Sequence, residues 1–190
     1  MEPPEAAPPS DFELEHLVGE LFAGRYRVLR LAALGSTLAR FDVVDHDTGR
    51  EVALKVVRPA LAAAPSFRDR FDERMRAVAA LSHPNIVAVY DWGVAPVGAV
   101  STAYVVAEQL TGGSLRDMFD RARRLTPSQA LAVGLEACRA LDYAHRRGFV
   151  HTEINPSKLV FGDDRRLRVV DFGISRLLGE RDWANPEGVA

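Results

Sequence analysis

His151-Thr152-Glu153-Ile154-Asn155-Pro156-Ser157-Lys158-Leu159-Val160 precedes Val169-Val170-Asp171-Phe172-Gly173, with Gly162-Asp163-Asp164 between the two stretches. A Gly-Asp-Asp step flanked by short apolar runs reads as a hairpin turn. The first stretch sets a carboxylate (Glu153), an amide (Asn155) and an ammonium (Lys158) in one loop. The second carries an apolar strand into Asp171, a carboxylate followed by Phe and Gly. An Asp beside Gly is also an ordinary turn former, so these groups take a chemical meaning only from the elements around them.

Upstream of the loop the pattern is helical. Thr126-Pro127-Ser128-Gln129 combines a capping Thr, a Pro in the first turn and a Gln three residues after the cap. Leu131, Leu135, Cys138 and Leu141 form the apolar seam expected to face the core, and Gly148 is the expected stop. Ser114 caps a shorter helix ending near Arg123, after a flexible joint at Thr111-Gly112-Gly113. Before that joint the pattern changes to strands. Tyr26 to Leu31, Leu38 to Asp45, Glu51 to Val57, Ile86 to Trp92 and Ser101 to Gln109 are the five strand candidates. Asp47-Thr48-Gly49 is a tight turn joining the second to the third, which specifies antiparallel pairing. Ser66 to Leu81 is one long helix with Phe67, Phe71, Met75 and Val78 on one face. Ser82-His83-Pro84-Asn85 ends it, because the residue before Pro avoids the helical region.

A strand-rich half, a Gly joint and a helical half resemble the two lobes of a bacterial Ser/Thr protein kinase domain, of actinobacterial type. The pieces that carry the resemblance are Val52-Ala53-Leu54-Lys55, Ser82-His83-Pro84-Asn85-Ile86-Val87, Gly112-Gly113-Ser114-Leu115, the His151 loop and Asp171-Phe172-Gly173, in that order. They span roughly Arg25 to Gly173. The resemblance implies an α+β fold in two lobes. Residues 1–24 would be a disordered or lead-in tail, with Phe12 to Ala23 a short amphipathic piece. Residues 25–110 would form a five-stranded antiparallel N-lobe sheet with one long helix, and residues 111–190 a truncated, mainly helical C-lobe. It also implies ATP and Mg2+ as cofactors. Lys55, beside Ala53 on an apolar strand, matches the lysine that grips the nucleotide phosphates. Asp171 matches the magnesium ligand. Ala107-Glu108-Gln109-Leu110 matches the hinge, where the backbone at Glu108 and Leu110 would bond the adenine edge.

The departures from the family pattern fall on the chemistry. The catalytic loop of the family reads H-R-D-x-K-P-x-N; here Thr152 replaces Arg, Glu153 replaces the catalytic Asp, and Asn155 and Lys158 exchange the places of Lys and Asn. Glu153 keeps a carboxylate at the base position but one methylene longer, and a misplacement of about 1 Å can cost roughly 100-fold. Asn155 lacks the ammonium that neutralises the transferring phosphoryl. Lys158 puts a cation where the family holds its second magnesium. In the glycine-rich loop, aligned with Ala33-Leu34-Gly35-Ser36-Thr37-Leu38-Ala39-Arg40, only Gly35 survives; side chains at Ala33 and Leu38 hinder close approach of phosphate. Arg40 stands where a small apolar residue packs on adenine, and reads either as a phosphate contact or as a solvated strand residue. The Glu that pairs with Lys55 is replaced by Arg74 in one register and is Glu73 in the next. Two cations about 4 Å apart at an effective dielectric near 20 repel by roughly 4 kcal/mol, so Arg74 would turn to solvent or its helix would swing out.

Composition sets the outer limits. The chain has 190 residues, 47% of them hydrophobic, enough for one domain with a sizeable core. A formal charge of -2 with interspersed signs gives no reason to expect nucleic acid as a partner. Cys138 is the single cysteine, which excludes an internal disulfide and suits a reducing cytoplasm. No apolar run reaches the ~20 residues of a membrane helix, and the acidic, Pro-rich start Met1-Glu2-Pro3-Pro4 is unlike a signal peptide. Asn185-Pro186-Glu187 resembles the close of the family's activation segment, with Ser175 the hydroxyl residue before it. A lower lobe ending there would expose apolar surface and call for another protein as partner. Three readings remain: a kinase-like domain with feeble or no phosphotransfer that keeps nucleotide, an active Ser/Thr kinase with Glu153 as base, and an interaction module without nucleotide.

Overall fold

The computed structural model describes residues 14–35, 37–58, 62 and 67–172. The expectations for Met1 to Asp11, Ser175, Gly173 and Asn185-Pro186-Glu187 fall outside the described residues. The chain divides into two compact units, Met1–Glu73 with Val89–Gln109, and Arg74–Ala88 with Leu110–Ala190.

The first unit is an antiparallel sheet. Its strands are β1 (Leu21–Phe22), β2 (Tyr26–Leu34), β3 (Leu38–Asp45), β4 (Glu51–Val57), β5 (Val89–Val97) and β6 (Val100–Glu108). They lie in the order β1-β2-β3-β4-β6-β5. Five of these are the strands expected from alternation; the sixth, β1, is two residues long and pairs Leu21 with Arg27 and Phe22 with Tyr26. A two-residue strand has no alternation to read, which is why the sequence leaves it out. The expected strand at Ile86 begins later, at Val89, and runs on to Val97. Leu14, within the stretch expected to lead into the fold, is buried in the same core as Phe41 and Leu54.

Alternation assigns the two faces of the sheet. Ala39, Phe41 and Val43 of β3, and Val52, Leu54 and Val56 of β4, lie in the core. Arg40 and Asp42, and Ala53 and Lys55, are therefore on the opposite face. The core is tied by aromatic edges: Phe22 meets Tyr104 at 5.3 Å between ring centres, nearly perpendicular. Tyr26, fully buried, donates its hydroxyl to Asp91. Burial first, and then that carboxylate, raise the Tyr26 hydroxyl far above its ordinary pKa. The β3–β4 turn is fixed by Asp45, whose Oδ1 accepts from Asp47 N at 3.0 Å and whose Oδ2 accepts from Thr48 Oγ1 at 2.8 Å. Gly49 takes a left-handed φ of 68°, which a residue with a Cβ adopts only at a cost.

Helix α1 (Phe67–Ala79) buries Phe67, Phe71, Met75 and Val78, the stripe expected from the sequence. Each such side chain removed from water is worth roughly 1.5–3 kcal/mol. Trp92 Nε1 donates to Asp72 Oδ1 at 2.9 Å and ties β5 to the middle of the helix.

The second unit is built from α2 (Leu115–Asp120), α3 (Pro127–His145), a single 3-10 turn (Pro156–Lys158) and a hairpin of β7 (Leu159–Phe161) and β8 (Leu167–Val169). Both helix starts carry full capping boxes. Ser114 Oγ accepts from Asp117 N at 3.1 Å while Asp117 Oδ2 accepts from Ser114 N at 2.7 Å. Thr126 Oγ1 accepts from Gln129 N and Gln129 Oε1 from Thr126 N. Each box satisfies two backbone donors that the first turn leaves open. Gly112 has no room for a Cβ, which would stand 2.8 Å from Phe161.

The buried stripe of α3 is not the expected one. Leu131 is 75% and Leu135 49% exposed, and Cys138 is exposed, whereas Ala137, Ala140 and Ala144 are buried. Periodicity alone selects the largest apolar residues. Here small residues let the helix backbone come close to β8, and that approach decides the inward face. Glu136, on the same side, accepts from Leu167 N at 2.8 Å and from Asn85 Nδ2 at 3.1 Å. Asn85 Nδ2 also donates to Leu167 O at 2.9 Å. One buried amide thus joins the segment after α1, helix α3 and the hairpin.

Candidate functional site

In the second unit the site is assembled on the loop before the 3-10 turn and on the end of β8. His151, 2% exposed, has Nε2 2.8 Å from Val170 O. A carbonyl only accepts, so Nε2 carries the proton and Nδ1 accepts from Glu153 N at 3.3 Å. The ring meets Phe172 edge-on at 4.7 Å. His151 therefore holds the loop against the segment that carries Asp171. Thr152 and Asp171 both take left-handed φ, 68° and 65°, conformations that a non-glycine residue keeps only where surrounding contacts impose them.

Hydrogen bonding separates the loop residues by role. Asn155 Oδ1 accepts from Ser157 N at 3.0 Å and its Nδ2 donates to Glu153 O at 3.2 Å. It caps the 3-10 turn; it supplies shape, not charge. Glu153, which the resemblance aligns with the base, is exposed, and its backbone N–H is held by His151 Nδ1. Lys158 Nζ donates to Asp171 Oδ2 at 2.6 Å, an ion pair with only 24% and 11% of the two side chains exposed. Sequence separated these two residues into different roles. The β7–β8 hairpin returns the chain so that they meet.

That pair bears on the metal the resemblance implies. A divalent ion needs hard oxygen donors whose charge is available. Here the one matching carboxylate is already bonded to an ammonium, and the second matching position is that ammonium. No group of three or more His, Cys, Asp or Glu able to hold a metal occurs among the described residues. The donor set fits magnesium poorly.

In the first unit, Lys55 lies on β4 and is 9% exposed. Its direct cross-strand neighbour on β3 is Arg40. Arg40 Nε is buried and has no hydrogen-bond partner among the described residues. A buried N–H of a charged group left unpaired costs on the order of 1–3 kcal/mol. Asp42, two residues along the same face and 7% exposed, is committed elsewhere: Arg30 pairs with its Oδ2 and Gln109 Nε2 donates to its Oδ1 at 2.7 Å. Ala53 faces Ala107 on β6, both buried, and Glu108 pairs with Val52. Leu110 lies in the second unit, next to Gly162.

The glycine-rich loop is a closed β2–β3 hairpin. Leu34 pairs with Ala39, and Gly35 N donates to Leu38 O at 2.9 Å. Arg58 Nε donates to Gly35 O at 2.9 Å. The amide at Gly35 is thus used to close the turn. On α1, Glu73 is exposed, and Arg74 lies with its guanidinium 5.0 Å above the ring of Phe149. Arg74 does not turn fully to solvent as charge repulsion alone suggests; an aromatic face in its own unit takes the cation.

The Arg30–Asp42–Gln109 cluster and the Asn85–Glu136 link were missed by sequence reasoning. A charged residue on an alternating strand opposite a basic one is the only signal for the first; nothing local marks the second.

Comparison with known proteins agrees with this architecture. Residues 33–187 match the protein kinase domain family. A probable serine/threonine-protein kinase of Streptomyces coelicolor is 37% identical over 157 residues, 83% of this chain and 23% of that protein. The serine/threonine-protein kinase PknA of Mycobacterium tuberculosis is 36% identical over 160 residues, 84% of this chain and 37% of that protein. The crystal structure of the PknI kinase domain of Mycobacterium tuberculosis, 33% identical, aligns with a TM-score of 0.71 over 83% of this chain and 62% of that one. This chain spans a minor part of the length of the curated relatives. With most of its own length matched and the sheet order, capped helices and loop in place, the chain belongs to the protein kinase domain family.

Proposed function

We propose that this chain is a kinase-fold regulatory module of pseudokinase type, which keeps weak nucleotide binding through Lys55 and has little or no phosphotransfer. It would act by binding another protein, in the cytoplasm. The observation that carries the reading is Lys158 Nζ at 2.6 Å from Asp171 Oδ2. Phosphoryl transfer depends on charge neutralisation at the phosphates. A carboxylate already neutralised by lysine holds a divalent ion less tightly, and Asn155, occupied as a cap, returns no positive charge. Magnesium, where the family holds it, would supply charge neutralisation at the phosphates. In this chain Lys55 would hold a phosphate, Lys158 would keep Asp171 in place, and Glu153 would offer an exposed acceptor.

The test is label transfer from ATP carrying a radioactive terminal phosphate, to the protein itself and to a generic protein substrate. Background transfer is expected. Transfer abolished by Lys55→Met and by Asp171→Ala would overturn the reading.

A second reading, an ATP-dependent Ser/Thr kinase with Glu153 as base, is favoured by one observation. Glu153 presents its carboxylate at the surface of a loop whose backbone His151 fixes. It requires that Glu153→Ala abolish transfer and that magnesium-ATP raise the melting temperature; absence of both removes it.

A further inference from the structure

We infer that Arg40 is a second phosphate-binding cation beside Lys55, and that the two form a metal-independent polyphosphate site on the face of β3 and β4 opposite the core. The inference rests on the proposal that Lys55 contacts nucleotide, and deepens it.

The register sets Arg40 directly opposite Lys55. Cβ atoms of directly opposed residues lie roughly 5 Å apart. Both side chains leave the core face, because Phe41 and Leu54, their own chain neighbours, are fully buried in the core. Like charges directly opposed repel across a ladder, and a bound anion relieves that repulsion. Asp42, on the same face, is held by Arg30 and Gln109. The Arg40 guanidinium keeps Nε buried and without a partner among the described residues. A guanidinium fork matches two phosphate oxygens at once, and an ammonium adds a point charge. Two fixed cations this close suit adjacent phosphates of a di- or triphosphate. They also supply in the protein the countercharge that a metal otherwise brings.

The same chemistry comes from two sources, a nucleotide and a free polyphosphate. Titration calorimetry of the whole chain in EDTA, with ATP, GTP, sodium tripolyphosphate and adenosine, tells them apart. Tripolyphosphate is expected to bind, adenosine to give no heat, and ATP and GTP to differ by less than about threefold, since a phosphate-dominated site reads no base edge. Arg40→Met and Arg40→Gln, each confirmed as folded by circular dichroism, should weaken tripolyphosphate by about tenfold or more, with Arg40→Lys intermediate because it keeps charge without the fork. If ATP and tripolyphosphate bind alike, free polyphosphate is the ligand; if ATP binds tighter and still loses affinity in both Arg40 variants, it is the nucleotide. Tripolyphosphate that fails to bind, or binds Arg40→Met and Arg40→Gln as well as the parent, overturns the inference. Label transfer that both Lys55→Met and Asp171→Ala abolish would overturn the proposed function and leave this one standing.

Discussion

The ammonium of Lys158 lies 2.6 Å from Oδ2 of Asp171. The pair is formed across the β7–β8 hairpin, whose register sets Leu159 beside Val169 and so brings the residues flanking both strands together. Both groups are mostly shielded, so the pair is screened less than a surface one.

The ion pair predicts how nucleotide binding responds to metal. In the parent chain, the rise in melting temperature caused by millimolar ATP should be nearly the same with magnesium and with EDTA. Lys158→Asn removes the ammonium bonded to Asp171 and restores an oxygen donor at position 158. It should open a gap of about 3 °C or more between the two conditions, as expected when a ligand binds several-fold tighter. Differential scanning fluorimetry reads both. A parent chain whose ATP response needs magnesium would show that Asp171 stays available to metal despite its pair with Lys158.

Asn85 predicts a structural weak point. Its Nδ2 serves Leu167 O and Glu136 Oε2, and the residue is 6% exposed. Asn85→Ala leaves a carbonyl and a carboxylate short of a donor, and should cost about 2–3 kcal/mol in urea unfolding. Glu136→Ala should overlap with it, so the double variant loses less than the sum.

His83 predicts a pH dependence. Burial, with a contribution from Arg139, lowers its pKa below the ordinary 6.5. Its Nδ1 accepts from Asn85 N at 3.0 Å and its ring lies 5.0 Å from that of Tyr143. The fold favours the neutral ring, so the unfolded chain binds the proton first as pH falls. Stability should be unaffected above about pH 6.5 and decline below it, by less than about 1 kcal/mol for so partial a burial. Chemical denaturation at pH 7.5 and 5.5 measures the decline, and His83→Asn should reduce it. An equal decline in the variant would place the titration elsewhere.

The two helix faces predict opposite outcomes for similar truncations. Met75→Ala on α1, from a side chain with no exposure, should cost about 2–5 kcal/mol. Leu131→Ala on α3, from a side chain 75% exposed, should stay within about 0.5 kcal/mol. Thr126→Ala should cost about 1 kcal/mol through its cap. Thermal melts of the three variants rank them directly.

What could be read along the chain was short in range. Ser114 and Thr126 name their own caps, because the groups they satisfy are three residues away. Asp47, Thr48 and Gly49 mark their turn for the same reason, although the carboxylate that fixes it is Asp45. Alternation over β3 and β4 separates Phe41 and Leu54 from Arg40 and Lys55 without any partner strand in view. The same reasoning fails on α3, where periodicity ranks Leu131 above Ala140 although the alanine is the buried one. Which arc of a helix is covered depends on what lies beside it, and no local pattern carries that.

The sequence by itself determined the kinase-type order of strands, joint, capped helices and loop, and it exposed the changes at Glu153, Asn155 and Lys158. Only the tertiary structure decided which charges meet. Lys158 reaches Asp171 through a hairpin, Arg40 stands opposite Lys55 through a strand register, and Arg74 rests on Phe149 from a helix far away in sequence. Periodicity and capping report neighbours within a turn or a strand. Ion pairs depend on the path of the backbone between distant residues, and that path is fixed by the packing of the whole unit.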